Sequence, residues 1–309
     1  MKNYIYIIGA GRSGTTLVDI LLGNSKSTFS LGEINRFAKK KGIVPGRSEE
    51  DDVKRFWNSI KNEVEKEYNL DEVYRYSKSF EYHSAFFRKI FSVVKKKEKE
   101  KYFKYLRSFN EILNSNVTEP IGIDSSKYPM RALYLSEAIG PFTGCLQIIK
   151  HPVSVLRSFL KKDIEQPSKH WMVVNLYLIA INVISFYVKR RLKKRRIPVL
   201  TYRYEDIVKD PVRFLKKIEA CFQIDLSDLC EKITKNEALK VGFLFDGNRI
   251  RLQKEINLIK HSKTDRYRIT EWIVYFCNLF WWRQRIDNRI NKKICLPQIL
   301  KEDRSQREM

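Results

Sequence analysis

Four histidines and five cysteines among 309 residues leave little with which to build a transition-metal centre. Cys145, Cys221, Cys230, Cys277 and Cys295 lie far apart, with no C-x-x-C pair and no histidine cluster at ligand spacing. A zinc site or a disulfide scaffold is therefore not expected, and no metal is assigned. The late apolar stretch from Trp272 to Trp282 is about half of the roughly 20 residues that a bilayer crossing takes. The N-terminal run Met1 to Ile8 meets a glycine turn without the apolar length or small-residue cleavage site of a signal peptide. The expectation is a cytoplasmic protein, with membrane association on the cytoplasmic face as a variant. Acids are scarce too: 36 Asp and Glu face 60 Lys and Arg, a net charge of +24. Such a surplus suits a polyanion, a phosphorylated ligand or an anionic membrane, and charge alone does not choose.

No internal repeat or low-complexity linker interrupts the chain, and 43% apolar residues suffice for a core. Tyr4 to Ile8 reads as a core strand, Gly9 to Thr16 as a loop, and Leu17, Val18, Leu21 and Leu22 as a helix face. From about 48 to 113 the chain is charged and helical, opened by a capping box of Ser48 and Asp51 and carrying Val53, Phe56, Trp57, Ile60 and Val64 on one face. Strand signals return at Ile121 to Ile123, Cys145 to Ile149 and Val199 to Tyr202, with helical stretches between them. That alternation predicts one α/β domain over 1–309: a three-layer, doubly wound parallel sheet of P-loop type with a helical insertion. A basic, aromatic helical region follows from about 265 to 309. The polar ends of the four strands, from Arg12 through Lys127 and Lys150 to Tyr204, are expected to meet in one crevice beyond the carboxyl edge.

The loop Gly9-Ala10-Gly11-Arg12-Ser13-Gly14-Thr15-Thr16 fits two templates. As G-x-G-x-x-G, with Glu33 about 20 residues on, it suits a dinucleotide. As a triphosphate loop it lacks the lysine, because Thr15 stands there. A donor with one phosphate and a terminal sulfate has no β/γ pair to neutralise. Loop amides, the helix N-terminus, Ser13, Thr15 and Thr16 meet its needs, and Arg12 adds a planar fork for two oxygens.

With Arg12 to Thr16 reading R-S-G-T-T, the chain resembles the sulfotransferase superfamily, including carbohydrate and tyrosylprotein sulfotransferases. Gly32-Glu33, Lys127-Tyr128-Pro129, Tyr204-Glu205-Asp206, and Gly247-Asn248 followed by Arg249 and Arg251 match further motifs of that family, so that the resemblance spans roughly 4 to 251. Lys150, Pro152 and Ser158 keep the spacing of its 3'-phosphate motif, with lysine where the family has arginine. The resemblance implies a sulfotransferase that uses 3'-phosphoadenosine 5'-phosphosulfate (PAPS), transferring directly to a hydroxyl of a carbohydrate, lipid or other acceptor. Glu33 would be the general base, and Arg12 and Lys127 would stabilise charge. Gly11, Arg12, Ser13, Gly14, Thr15, Thr16, Lys150, Ser158, Lys162, Tyr204, Gly247, Asn248, Arg249 and Arg251 would hold the nucleotide.

Two rivals remain at this stage: an NAD(P)-binding oxidoreductase built on the glycine turn, and a non-enzymatic basic protein that binds membrane or nucleic acid. No nucleic-acid partner is expected on the first reading, and peripheral contact with an anionic membrane stays open. His83, His170 and His261 lack a partner pattern and read as surface or packing residues; Trp171, Tyr177 and Leu178 read as core. The basic run Lys189 to Arg196 reads as a solvated helix end.

Overall fold

β1 (Asn3–Gly9) sends Tyr4, Tyr6 and Ile8 to one side and Ile5 and Ile7 to the other, and all five are buried. A strand apolar on both faces belongs inside a sheet covered by helices on both sides. The computed structural model, which describes residues 3–48, 50–91, 95–161, 168–257 and 267–283, has that sheet. After β1 come α1 (Thr15–Leu22), β2 (Thr28–Gly32), α2 (Asp52–Glu65), α3 (Leu70–Phe80), α4 (Ser84–Ile90), α5 (Lys96–Asn116) and β3 (Ile121–Lys127). The chain continues through α6 (Pro129–Ile139), β4 (Gly144–Ile149), α7 (Pro152–Leu160), α8 (Trp171–Lys194), β5 (Val199–Arg203), α9 (Tyr204–Lys209), α10 (Pro211–Phe222) and α11 (Ser227–Thr234). Two-residue strands β6 (Leu239–Lys240) and β7 (Glu255–Ile256) precede α12 (Ile269–Arg283).

The long strands pair in parallel in the order β2-β3-β1-β4-β5. Tyr4, Tyr6 and Ile8 pack with the inner faces of α2, α3, α5, α6 and α8, while Ile5 and Ile7 pack with α1, α9, α10 and α11. The fold is therefore a three-layer α/β sandwich with a strand-loop-helix of P-loop form at its start.

Three details differ from the sequence reading. β2 was not read as a strand, because Thr28 and Ser30 look like loop residues; here their hydroxyls donate to the Leu22 and Asp19 carbonyls, at 2.5 and 3.0 Å, and bury against α1. Asp51 rather than Ser48 caps α2, its Oδ1 accepting the Val53 N–H at 2.8 Å, while Ser48 offers only its carbonyl to Asp51. Among the described residues the helix long and apolar enough to cross a membrane, by length and composition alone, is α8 with 24 residues, which the sequence reading passed over. Its inner residues Val174, Leu178, Ile181, Ile184 and Val188 are buried, and the basic run closes it, with Arg190, Arg191 and 193–196 exposed.

Candidate active site

The loop after β1 turns through left-handed backbone at Arg12 (φ 66°) and Gly14 (φ 90°). Gly14 begins α1 under the Tyr204 ring, and a Cβ there would fall inside that ring. Only glycine meets both demands. Ser13 turns inward: its Oγ and N–H both donate to the Ala10 carbonyl, at 2.6 and 3.2 Å. The hydroxyl expected to hold a ligand instead shapes the loop. The Gly11 N–H donates to the Tyr177 hydroxyl at 2.7 Å. Burial pushes that hydroxyl up to about 12, so it keeps its proton and can donate onward.

Strand ends gather around this loop. The β3 ladder slips register against β1 between Tyr6 and Ile8, and Lys127 leaves the strand with φ 71°. Such a bulge re-aims a side chain. Lys127 Nζ pairs with Glu33 Oε1, at the end of β2, and Arg36 Nε pairs with Glu33 Oε2 at 3.1 Å. Arg36 Nη1 also reaches Asp246 Oδ2 at 3.0 Å, and the Asp246 carbonyl takes the Glu33 N–H at 3.0 Å. Glu33 thus stands at the N-cap position of a short 3-10 turn without a side-chain cap bond, pairs with Arg36, and faces the cleft.

At the end of β4, the Lys150 ammonium sits 4.4 Å from the Tyr204 ring centroid. Burial holds it below the usual lysine value, against the pull of Glu205 and with a smaller push from Lys161. On the far wall, the Asn248 N–H donates to Thr16 Oγ1 at 3.2 Å, and Gly247 packs on the Thr16 side chain. Arg251 is 4% exposed; its Nη2 donates to the Pro45 carbonyl at 3.1 Å and its Nη1 has no partner.

These elements enclose a cleft of ≈ 820 Å³. Gly11, Arg12, Gly14, Thr15, Thr16, Glu33, Lys127, Lys150, Ser158, Tyr204, Gly247, Asn248 and Arg251 all line it. Ser13 and Arg249 do not, and Lys162 lies outside the described residues. The lining also includes Arg36, Lys40, Lys169, Tyr177, Asp246 and His83, to which the sequence assigned no site role. Tyr177 is not simply core, since its hydroxyl reaches the loop. His83, expected to be a surface or packing residue, lies between the Tyr128 and Tyr177 rings, at 5.2 and 5.7 Å, and burial lowers its basicity. Its Nδ1 has no partner. The sequence held no signal for it, because the α3–α4 corner of the insertion brings it to β3.

Asp124 is fully buried outside the cleft lining, bound to Arg131 and to the Ser126 N–H. Among the described residues no group of acids, histidines and cysteines could hold a metal.

The sequence profile of the sulfotransferase family matches residues 4–228. Among solved structures, the chain is similar to a "Sulfotransferase Domain from the Curacin Biosynthetic Pathway", 13% identical, covering 88% of this chain and 96% of that one with a TM-score of 0.49. It is also similar to a "Sulfotransferase Domain from the Synechococcus PCC 7002 Olefin Synthase", 15% identical, covering 90% and 94% with a TM-score of 0.49. No curated protein matches.

Proposed function

The chain belongs to the sulfotransferase family, and on that premise we propose that it moves a sulfuryl group from PAPS to a hydroxyl of a carbohydrate or lipid acceptor by direct in-line transfer. The observation that carries this reading is the Glu33–Lys127 ion pair facing the same cleft as the glycine loop. A donor with a phosphosulfate and a 3'-phosphate fits the lining: left-handed turns aim loop groups at an anion, and Arg251 keeps a buried, unpartnered donor beside it. Lys150 and Ser158 take the 3'-phosphate, and Arg12, Thr15 and Thr16 take the phosphosulfate.

Glu33 accepts the acceptor's hydroxyl proton as that oxygen bonds to sulfur and the bond from sulfur to the nucleotide phosphate oxygen breaks. Arg12 and Lys127 meet the charge that grows on the departing oxygen, where a fixed cation acts most strongly. Lys127 Nζ pairs with Glu33 Oε1. Anionic sulfuryl oxygens draw the ammonium away and free Oε1, while Arg36 still holds Oε2. Donor binding thereby uncovers the base. The oxidoreductase rival needs Glu33 for a ribose, yet both its oxygens are engaged by cations, and the family match points elsewhere. We place the reaction in the cytoplasm, where free thiols such as Cys145, Cys230 and Cys277 persist.

Adenosine 3',5'-bisphosphate should stabilise the fold without magnesium, by about 2.7 kcal/mol at 100 times its dissociation constant. Stabilisation by NADP and none by the bisphosphate overturns the donor. Lys150→Ala and Ser158→Ala should weaken the bisphosphate and spare the 5'-monophosphate; equal weakening of both ligands removes the 3'-phosphate assignment. Glu33→Gln should cut turnover by roughly 10²- to 10⁴-fold with little change in bisphosphate affinity, and near-normal turnover takes Glu33 out of the mechanism.

A further inference from the structure

α8 and α12 pack side by side, joined by a buried hydrogen bond from Asn278 to Asn175 at 2.8 Å and by the edge-on rings of Phe186 and Trp281, 6.1 Å apart. Each turns an apolar face outward. On α8, Met172, Val173, Leu176, Val183 and Phe186 are 37–67% exposed; on α12, Ile269, Trp272, Ile273, Phe276 and Phe280 are 41–81% exposed. Ten large apolar side chains on two adjoining helices exceed the scattered exposure of an ordinary surface.

Among the described residues of α8 and α12 and their immediate flanks, the exposed charges are cationic. Arg190 lies over the Phe186 ring at 4.2 Å, with Arg191, Lys193 and Lys194 exposed beyond it, and Arg268 and Arg283 are exposed on α12 and just before it. α8 contains no acid, and the acid of α12, Glu271, is buried and held by Arg157. An apolar, aromatic face bordered by cations is the form of a helix that lies in a membrane interface.

We propose that the outer face of α8 and α12 docks this protein on an anionic lipid surface, with the apolar residues in the interface and Arg190 to Lys194 on the headgroups. Symmetric pairing with a second copy would bring two cationic borders together. α8 lies on the bilayer and does not cross it: it also supplies Tyr177 and Ile181 to the cleft and Val174, Leu178 and Val188 to the interior, a face that lipid cannot reach. The surface stands apart from the cleft residues, and the proposal does not depend on the transfer chemistry.

Co-sedimentation of the full chain with phosphatidylcholine vesicles, with and without one third phosphatidylglycerol, tests it. Binding to the anionic vesicles should exceed binding to the neutral ones at least ten-fold and fall as salt is raised. Leu176→Ser, Phe276→Ser and Phe280→Ser combined should lower it at least ten-fold, and Arg190→Glu with Lys194→Glu should do the same, with thermal melting unchanged because every site is exposed. No preference for anionic vesicles, or binding that survives the serine variant, overturns the proposal. Sedimentation velocity gives the second measurement: a dimer that the serine variant dissociates, with the protein leaving vesicles in the supernatant, also overturns it and assigns the face to a second copy.

Discussion

Asp19 sits on α1 with no exposure to solvent, beneath the corner that carries Glu33, and its Oδ2 accepts the Gly32 N–H at 3.1 Å. Burial pushes this carboxyl up from 3.8 to about 7, against the hydrogen bond from Gly32 and with the charge of Asp124 adding to the rise. Such a rise makes ionisation in the fold cost about 4 kcal/mol more than in the unfolded chain. The sign follows from proton counts. Between pH 4 and 7 the folded chain holds this proton and the unfolded chain does not, so the contribution of this carboxyl to stability is greatest below 3.8 and declines until about 7, with no further loss above. Asp19→Asn keeps an acceptor for Gly32 and removes the charge. Measured by urea unfolding at pH 5 and pH 8, the variant should gain on the wild type by about 2 to 3 kcal/mol across that interval. Taking the difference between the two proteins cancels buried acids that do not act on Asp19, such as Glu81 and Glu205. A difference that stays flat from pH 5 to pH 8 refutes the reasoning, as does a variant less stable than the wild type at pH 8.

Gly14→Ala should lower the melting temperature and weaken adenosine 3',5'-bisphosphate more than ten-fold, because left-handed backbone costs a non-glycine residue about 1 to 2 kcal/mol and the Tyr204 ring must also move. Adding Tyr204→Ala should restore part of the stability lost in calorimetry. Tyr177→Phe leaves the Gly11 N–H without its acceptor and removes a hydroxyl from the cleft, which should weaken the bisphosphate by about five-fold, the scale of one hydrogen bond near 1 kcal/mol; unchanged affinity by isothermal titration would reduce Tyr177 to packing.

The glycine-loop side of the cleft was legible because its parts are local. A glycine loop between an apolar strand and a helix announces itself in eight residues, and Lys127, Lys150 and Tyr204 each sit at or just beyond the end of a run of strand formers. What escaped depends on approach between distant segments. Ser13 has the right chemistry for a ligand, yet the tightness of the turn spends its hydroxyl on Ala10 three residues back. Asp246 carries no motif of its own and matters because its segment runs beside β2, its carbonyl on Glu33 and its carboxylate on Arg36. β2 escaped because its hydroxyls bond to α1, and a polar strand edge sealed by side-chain hydrogen bonds looks the same in sequence as a solvated loop.

The same distinction explains why the insertion is more than a cover. Arg131, 4% exposed, lies between Glu81 at the end of α3 and Asp124 within β3, and Tyr102 of α5 donates to Glu81 as well. A buried cation between two buried carboxylates is held strongly against removal of any partner, since an orphaned charge costs about 3 to 5 kcal/mol. Asp124 accepts the Ser126 N–H at 2.9 Å, and the Ser126 hydroxyl accepts the Asn35 N–H at 3.1 Å. One chain of bonds therefore runs from the insertion through the residue before Lys127 to the turn that starts at Glu33. His83 follows Glu81 by two residues, so the same network sets its place beside Tyr128. The part of the cleft wall that the insertion supplies and the Glu33–Lys127 pair are fixed relative to each other by buried charge. A surface loop would let them drift, and the transfer proposed above would tolerate little drift between Glu33 and Lys127.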